Sequence, residues 1–351
     1  MINQLLSLGP SLEPNWDRDL FPIQAHEALH SIACKVNLEV FESQIADWIL
    51  SQSKLPDQVN LFNIFGEPAL TLFNNGQFVV DLYFWRKNDT LIHSHAFRGA
   101  FKVLFGHSLQ EEFLIHPVDP VGRDIYCSQV SRSKVEVLSP GDVRTIHPGM
   151  QLTHRILHLD NPTVTLCLRT VNDTELSQWH HLSGGVSYKQ KNISPLTVKK
   201  VLYFQFLTQS DYKRAEDYFQ NVLDSLATAD QLALYEALFK NEFGLDDDPI
   251  CAMIDLIRSY FLSESWFPIY EQHYQELNTH LFEYNASTPA LKILAHAINS
   301  NFLPKDAEEL IQSFSKLKLP DLGKELLQEK DLFADEHFTE QSKRVKDFCS
   351  Y

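Results

Sequence analysis

Apolar positions change their period twice along the chain. Between about Ile23 and Ser53, Leu38, Phe41, Ile45 and Trp48 fall at i, i+3, i+7 and i+10, one face of a helix. Pro56 and the polar residues around it end that zone. From Leu61 to about Thr170 the pattern shortens to runs rich in Val, Ile, Phe and Thr. These runs predict strands at Ala69–Phe73, Phe78–Trp85, Ala100–Phe105, Leu109–Ile115, Asp124–Val130, Lys134–Leu138, Val143–Ile146 and Thr163–Arg169. Turn residues separate them at Asn74-Asn75-Gly76, Lys87-Asn88-Asp89, Gly106, Pro117 to Pro120, Ser139-Pro140-Gly141 and Pro148-Gly149. Short strands at this spacing, with no helical stretch between them, read as a barrel or sandwich. From about Ser194 the helical period returns. Ile250, Met253, Ile254, Ile257 and Phe261 mark one amphipathic helix, and Ala307, Leu310, Ile311, Phe314 and Leu317 another.

The chain therefore divides into a helical segment over 1–60, a β-rich domain over 61–172 and a helical domain over 173–351. A length of 351 residues suits two or three folding units. The formal charge of −16 comes mostly from the last zone: from Ser194 on there are 26 Asp and Glu against 15 Lys and Arg, or −11, which leaves −5 for the rest. Nonspecific binding to nucleic acid or to an anionic membrane needs a positive surface, so neither is expected as a partner. The five cysteines, Cys34, Cys127, Cys167, Cys251 and Cys349, form no CxxC pair, which supports neither a disulfide framework nor a cysteine-ligated zinc. The start of the chain lacks a basic stretch followed by an apolar one, and no apolar run approaches the roughly 20 residues needed to span a bilayer. A soluble, cytoplasmic protein is the expectation.

Chemistry concentrates in the β-rich zone. In Thr90-Leu-Ile-His93-Ser-His95-Ala-Phe-Arg-Gly99 the two histidines alternate with Ser94, so on a strand both imidazoles leave the same face. Two converging imidazoles suit a divalent transition metal. Gly106 follows an apolar strand, and some forty residues later comes Ser139-Pro-Gly141-Asp-Val-Arg-Thr-Ile-His147-Pro148-Gly149-Met-Gln-Leu-Thr-His154-Arg155.

Together these two stretches resemble the two signature motifs of the cupin superfamily. The resemblance implies an α+β protein: a central cupin double-stranded β-helix barrel, flanked by the N-terminal helical segment and a C-terminal all-α domain. It further implies His93, His95 and His154 as metal ligands. The positions at which many cupins add a glutamate are here Gly99 and Ala100, which leaves a neutral three-histidine set similar to that of the cysteine and other thiol dioxygenases. His154 to Thr170 also resembles the corresponding segment of those enzymes. Their Ser-x-His-x-Tyr series is replaced by Thr165, Cys167 and Arg169, which puts cysteine as substrate in doubt. Fe(II) is the metal implied, and Ni, Mn, Cu or Zn would suit the same donors.

Arg169 shares a strand face with Thr165 and Cys167 and could clamp a substrate carboxylate, with Arg86 as another anchor. His147, before the Pro148-Gly149 turn, is a candidate catalytic group or further ligand. Tyr83 and Trp85 read as barrel-core aromatics, Glu111 and Glu112 as a solvated strand face, and His180-His181 as part of a loop. His107 and His158 read as surface or structural residues, and Arg98 as a partner for substrate or for an acidic neighbour.

The first functional reading is thus an Fe(II)-dependent dioxygenase or oxygenase, with a small carboxylate- or thiol-bearing molecule and O2 as its partners. Beside it stand a non-catalytic metal- or metabolite-binding barrel whose helical domain serves protein interaction, and a metal-dependent isomerase or hydrolase. The C-terminal helices could also form a homodimer interface or bind another protein.

Overall fold

In the computed structural model the described residues are 1–33, 37–59, 66–86, 90–121, 123–171, 177–191, 193–239, 244–277, 285–329, 332–333 and 338–350. The Lys87-Asn88-Asp89 turn, Cys34, and the segment boundaries expected at 60 and 172 lie outside them.

Three helices come first: α1 (Ile2–Leu12), α2 (Phe21–His30) and α3 (Leu38–Ser51). Nine strands follow among the described residues: β1 (Ala69–Asn74), β2 (Phe78–Trp85), β3 (Ile92–His95), β4 (Gly99–Phe105), β5 (Ser108–Pro120), β6 (Ile125–Leu138), β7 (Val143–Ile146), β8 (Gly149–His158) and β9 (Thr163–Thr170). A hairpin comes next, β10 (Trp179–His181) and β11 (Val186–Lys189). The helices α4 (Pro195–Thr208), α5 (Tyr212–Asp224), α6 (Thr228–Phe239), α7 (Asp247–Phe261) and α8 (Phe267–Leu277) are succeeded by α9 (Pro289–Asn299), α10 (Pro304–Ile311), α11 (Leu319–Leu326) and α12 (Phe338–Cys349).

Local chemistry sets several of these starts. The Asn37 side chain accepts from the Glu39 amide at 2.8 Å and caps α3. Ser194 before Pro195, and Thr288 before Pro289, cap α4 and α9, each with proline in the first turn. Asn74-Asn75-Gly76 turns β1 into β2, with Gly76 at φ 80° and the Asn75 side chain accepting from the Gln77 and Phe78 amides.

The chain forms two compact units that are not sequential. The first comprises Met1–Leu114, Ser131–Ser177 and Gln275–Tyr351; the second comprises Ile115–Val130 and Gln178–Tyr274.

The first unit is an antiparallel β-barrel dressed with helices. One sheet has the order β1-β2-β9-β4-β7, and the other carries β6-β5-β8-β3. Alternation along the strands gives the five-stranded sheet two buried faces. On one, Phe78, Val80, Leu82, Ala100, Leu104, Val164, Leu166 and Leu168 pack against Leu5 and Leu8 of α1, Phe21, Ala25 and Leu29 of α2, and Phe41 and Ile45 of α3. The helical face read from Leu38, Phe41 and Ile45 therefore covers the barrel. The other face, bearing Tyr83, Trp85 and Cys167, looks into the interior, where Ile146, Phe97, Phe101 and Leu152 join it. Outside the second sheet, Leu109, Leu157 and Leu159 meet Leu291, Leu294 and Ile298 of α9, with α11 and α12 behind.

That covering helix explains Glu111, expected on a solvated face. It is 1% exposed, and its carboxylate receives Arg155, Arg132 and His296 of α9 at 2.5, 2.6 and 2.7 Å. On the opposite flank Lys102, 3% exposed, donates its ammonium to the Leu29 and Ile32 carbonyls at 2.9 and 2.6 Å, placing a cationic donor at the C-terminal end of α2.

In the second unit β10 pairs with β11, and β11 with the start of β6, through Val186 opposite Cys127. Ile125, Leu182, Val186 and Tyr188 on one side of this sheet meet Phe204, Phe219, Leu232, Tyr235, Met253, Ile257, Trp266 and Tyr270 from α4 to α8. His180 and His181, expected in a loop, lie on β10, with His181 buried and bonded to Ser187 at 2.8 Å. Among the described residues no helix is long and apolar enough to cross a membrane.

Candidate metal centre

Strand β3 supplies His93 and His95, and β8 supplies His154 directly opposite His93. The alternation that puts His93 and His95 on one face also turns them inward. A register shift between the two pairs His95 with Gly149 on the same strand, so the ladder is interrupted beside the motif, with the extra residues on β8. The three ring centroids stand 4.8, 4.8 and 4.9 Å apart at steep mutual angles, and one ligating atom from each ring lies within 4.8 Å of the others. All three side chains are buried.

The other ring nitrogens decide what this cluster can bind. His93 Nδ1 meets the Leu91 carbonyl at 2.8 Å, His95 Nδ1 the Leu152 carbonyl at 3.3 Å, and His154 Nδ1 the Gln110 Oε1 at 3.3 Å. Each of these oxygens only accepts, so each Nδ1 carries the proton and each Nε2 keeps its lone pair. Burial lowers the pKa of all three rings. For His95 and His154 the neighbouring imidazoles add to the effect and take them well below the ordinary value, while the carbonyl bonds at His93 and His95 act weakly the other way. Three neutral, buried imidazoles thus bring one ring nitrogen each within 4.8 Å of the others. They fit a cation of the transition-metal kind, to which the Nε2 atoms would be the donors.

No carboxylate completes the set from β4. A Cβ placed on Gly99 would lie 1.9 Å from the Leu168 carbonyl oxygen and 2.9 Å from the Arg169 Cα, so no side chain fits there, and Ala100 packs on the other face of the sheet, against the N-terminal helices. The glycine at 99 thus has a backbone cause, the close pairing of β4 with β9.

Around the cluster the interior is mostly aromatic. Phe97 stands 5.1 Å from His95 and Phe101 6.2 Å from His154, ring to ring. Trp85 donates its indole N–H to Thr165 at 2.8 Å and stacks on His158 at 4.3 Å. Burial pushes His158 down to about 3, with the Lys292 charge adding to it, so its ring is neutral and structural. Cys167 is buried, and its thiol is pushed up to about 12 by burial, the reverse of an activated nucleophile.

Arg169 faces inward, as its alternation with Thr165 and Cys167 indicates. Its Nη2 and Nε lie 2.9 and 3.1 Å from Asp81 Oδ2, and its guanidinium sits 5.2 Å over the Phe97 ring, one ring removed from His95. Asp81, 1% exposed, also accepts from Thr71 at 2.8 Å and from the Tyr83 hydroxyl at 2.9 Å. His147 is exposed at the turn between β7 and β8, Arg86 is exposed at the end of β2, and Arg98 pairs with Asp19 at 3.1 Å. None of these three joins the histidine cluster.

Two contributors escaped the sequence reading. Asp81 had a signal, a lone carboxylate amid Phe-Val-Val-Asp-Leu-Tyr-Phe-Trp, where a buried charge needs a partner. Gln110 had none, because a glutamine in a strand is ordinary until its neighbours are known.

No protein-family model matches the chain, and no curated protein does either. Solved structures resemble parts of it. A DMSP lyase from Ruegeria pomeroyi is 16% identical over 45% of this chain and 75% of its own, with a TM-score of 0.25. Hydroquinone 1,2-dioxygenase from a Sphingomonas species, with 4-hydroxybenzoate bound, is 13% identical over 31% of this chain and 68% of its own, at 0.24. A cupin-2 domain protein from Shewanella frigidimarina is 15% identical over 39% of this chain and 96% of its own, at 0.23. The chain spans 44% of another DMSP lyase structure. At such scores the likeness carries no activity across. By the strand order of its two antiparallel sheets, and by histidines on β3 and β8 turned toward one point, the chain carries a cupin-type β-barrel.

Proposed function

We propose that the barrel holds a divalent metal on His93, His95 and His154, Fe(II) in the working protein, and oxygenates a small anionic molecule bearing a carboxylate or a thiol. The observation that carries this reading is the triad itself: three buried imidazoles, each with Nδ1 beside an acceptor, and one ring nitrogen from each within 4.8 Å of the others. Bound there, Fe(II) would supply open positions at which substrate and O2 can meet.

The chain's own residues favour an anionic substrate. A neutral ligand set leaves the dication uncompensated in a desolvated interior, so an anionic chelating group is drawn in. Arg169 does not compete for that anion with a bare charge, since Asp81 balances it. Held beside the Phe97 ring, it offers a fixed cationic edge for a second acidic group of the substrate. Tyr83, Trp85, Phe97 and Phe101 present apolar surface that excludes water around the reacting atoms.

Metal analysis after anaerobic Fe(II) reconstitution tests the reading, with oxygen uptake measured against a panel of small carboxylates and thiols. About one metal per chain is expected in the wild type, with occupancy lost in His95→Ala and His154→Ala. A wild type that takes up no metal, or variants that keep it, would refute the site. Full occupancy with no substrate-dependent uptake across the panel would refute the oxygenase.

A further inference from the structure

His154 differs from the other two histidines in what holds its second nitrogen. His93 and His95 lean on main-chain carbonyls, whereas His154 leans on the side chain of Gln110, which is 1% exposed. The Gln110 amide cannot be turned round. Its Nε2 donates to Glu112 Oε1 at 3.1 Å and to Glu136 Oε1 at 3.3 Å, and two carboxylates accept only from the NH2 end. The oxygen end must therefore face His154. Glu136 is itself gripped by Arg144, whose Nε and Nη2 donate to its two oxygens at 3.0 and 2.8 Å, and by Lys134 at 2.8 Å.

We propose that Gln110 is a positioning residue: it locks His154 in the tautomer with the proton on Nδ1 and couples that imidazole to the Glu136–Arg144 ion pair outside the metal centre. This rests on the metal reading above. The carboxylates polarise the amide, the amide oxygen draws on the Nδ1 proton, and Nε2 becomes a better donor toward a cation. Among the described residues it is the one ligand orientation at this centre that a side-chain substitution can release.

Two readouts on the full chain separate the parts of this argument. In the metal-free protein, imidazole 15N–1H correlation spectra should show His154 as a single Nδ1–H tautomer in the wild type. In Gln110→Met they should show a mixture. Titration with Co(II), followed by its visible absorption, should then give affinity about 10- to 100-fold weaker for Gln110→Met than for the wild type. An unchanged His154 tautomer in Gln110→Met overturns the proposal. So does a shifted tautomer accompanied by wild-type Co(II) affinity. A wild type that takes up no Co(II) overturns the metal centre and the coupling to it, and leaves the spectra to decide the tautomer lock alone.

Discussion

Replacing Glu111 by glutamine should loosen α9 from the barrel. The wild-type carboxylate is 1% exposed and faces Arg155, Arg132 and His296, and Arg155 also reaches Ser300 of the same unit at 2.8 Å. A neutral amide keeps the shape but leaves the two arginines without a counter-charge. Breaking a buried ion pair from one side costs about 3–5 kcal/mol. Here the arginine side chains are 21% and 27% exposed, so water can take over part of their solvation, and the lower end, about 3 kcal/mol, applies. Burial alone would raise the Glu111 pKa. His296, Arg155 and Arg132 outweigh it and hold the group well below the ordinary 4.5. A carboxyl depressed in the folded state stabilises above its unfolded pKa, and that stability is lost as pH falls through the folded value. Urea unfolding of both proteins should therefore show a gap of about 3 kcal/mol at pH 7. The gap should narrow steadily once the pH drops below about 4.5. A gap under about 0.5 kcal/mol at neutral pH, or one that stays constant into acid, would refute the assigned role.

Three further outcomes follow from the same packing. Gly99→Ala should lower the thermal midpoint sharply, by about 3 kcal/mol in stability, because the new Cβ would strike the Leu168 carbonyl at 1.9 Å and backbone cannot swing aside; a midpoint within a degree or two of wild type would contradict the pairing of β4 with β9. Lys102→Met removes the ammonium donated to the Leu29 and Ile32 carbonyls and should cost about 1–2 kcal/mol, read from urea curves, whereas no loss would mean that α2 is held by apolar contacts alone. With its thiol pushed up to about 12, Cys167 should resist iodoacetamide at pH 8 in the native protein while exposed Cys251 reacts, and both should react in urea; mass spectrometry showing native labelling of Cys167 would mean that the interior opens.

The strand zone was legible because its driving force is local. Phe78–Trp85 and Val143–Ile146 come out with the bounds expected, since each alternates between two buried faces or ends at a turn residue. The expected break between Asp124–Val130 and Lys134–Leu138 is absent. Ser131 to Lys134 are exposed but remain in β6, because main-chain hydrogen bonding carries a strand through polar residues that hydrophobic periodicity cannot register. The hairpin β10–β11 was missed for a related reason: strands of three and four residues, with two histidines in one and Gly184-Gly185 between them, are too short to show a period.

The histidine triad and the groups that hold it differ in the same way. His93 and His95 announce themselves because a period of two makes their convergence a local property, and the turn at Pro148-Gly149 brings β8 back so that His154 lies opposite His93. What makes these rings donors is not local. Gln110 is 44 residues from His154 and 26 from Glu136, and the partners Glu111 and His296 lie 185 residues apart. A long-range pairing of polar groups leaves no periodic trace, only a buried polar residue that must find a partner. The pair His93 and His95 can thus be read along one strand, whereas the tautomer of each ring and the anchoring of α9 follow only once β5, β6, β8 and that helix are laid beside one another. That division gives the experiments distinct targets. Substitution of a histidine tests whether a metal binds, and substitution of Gln110 tests how the fold prepares the donor that binds it.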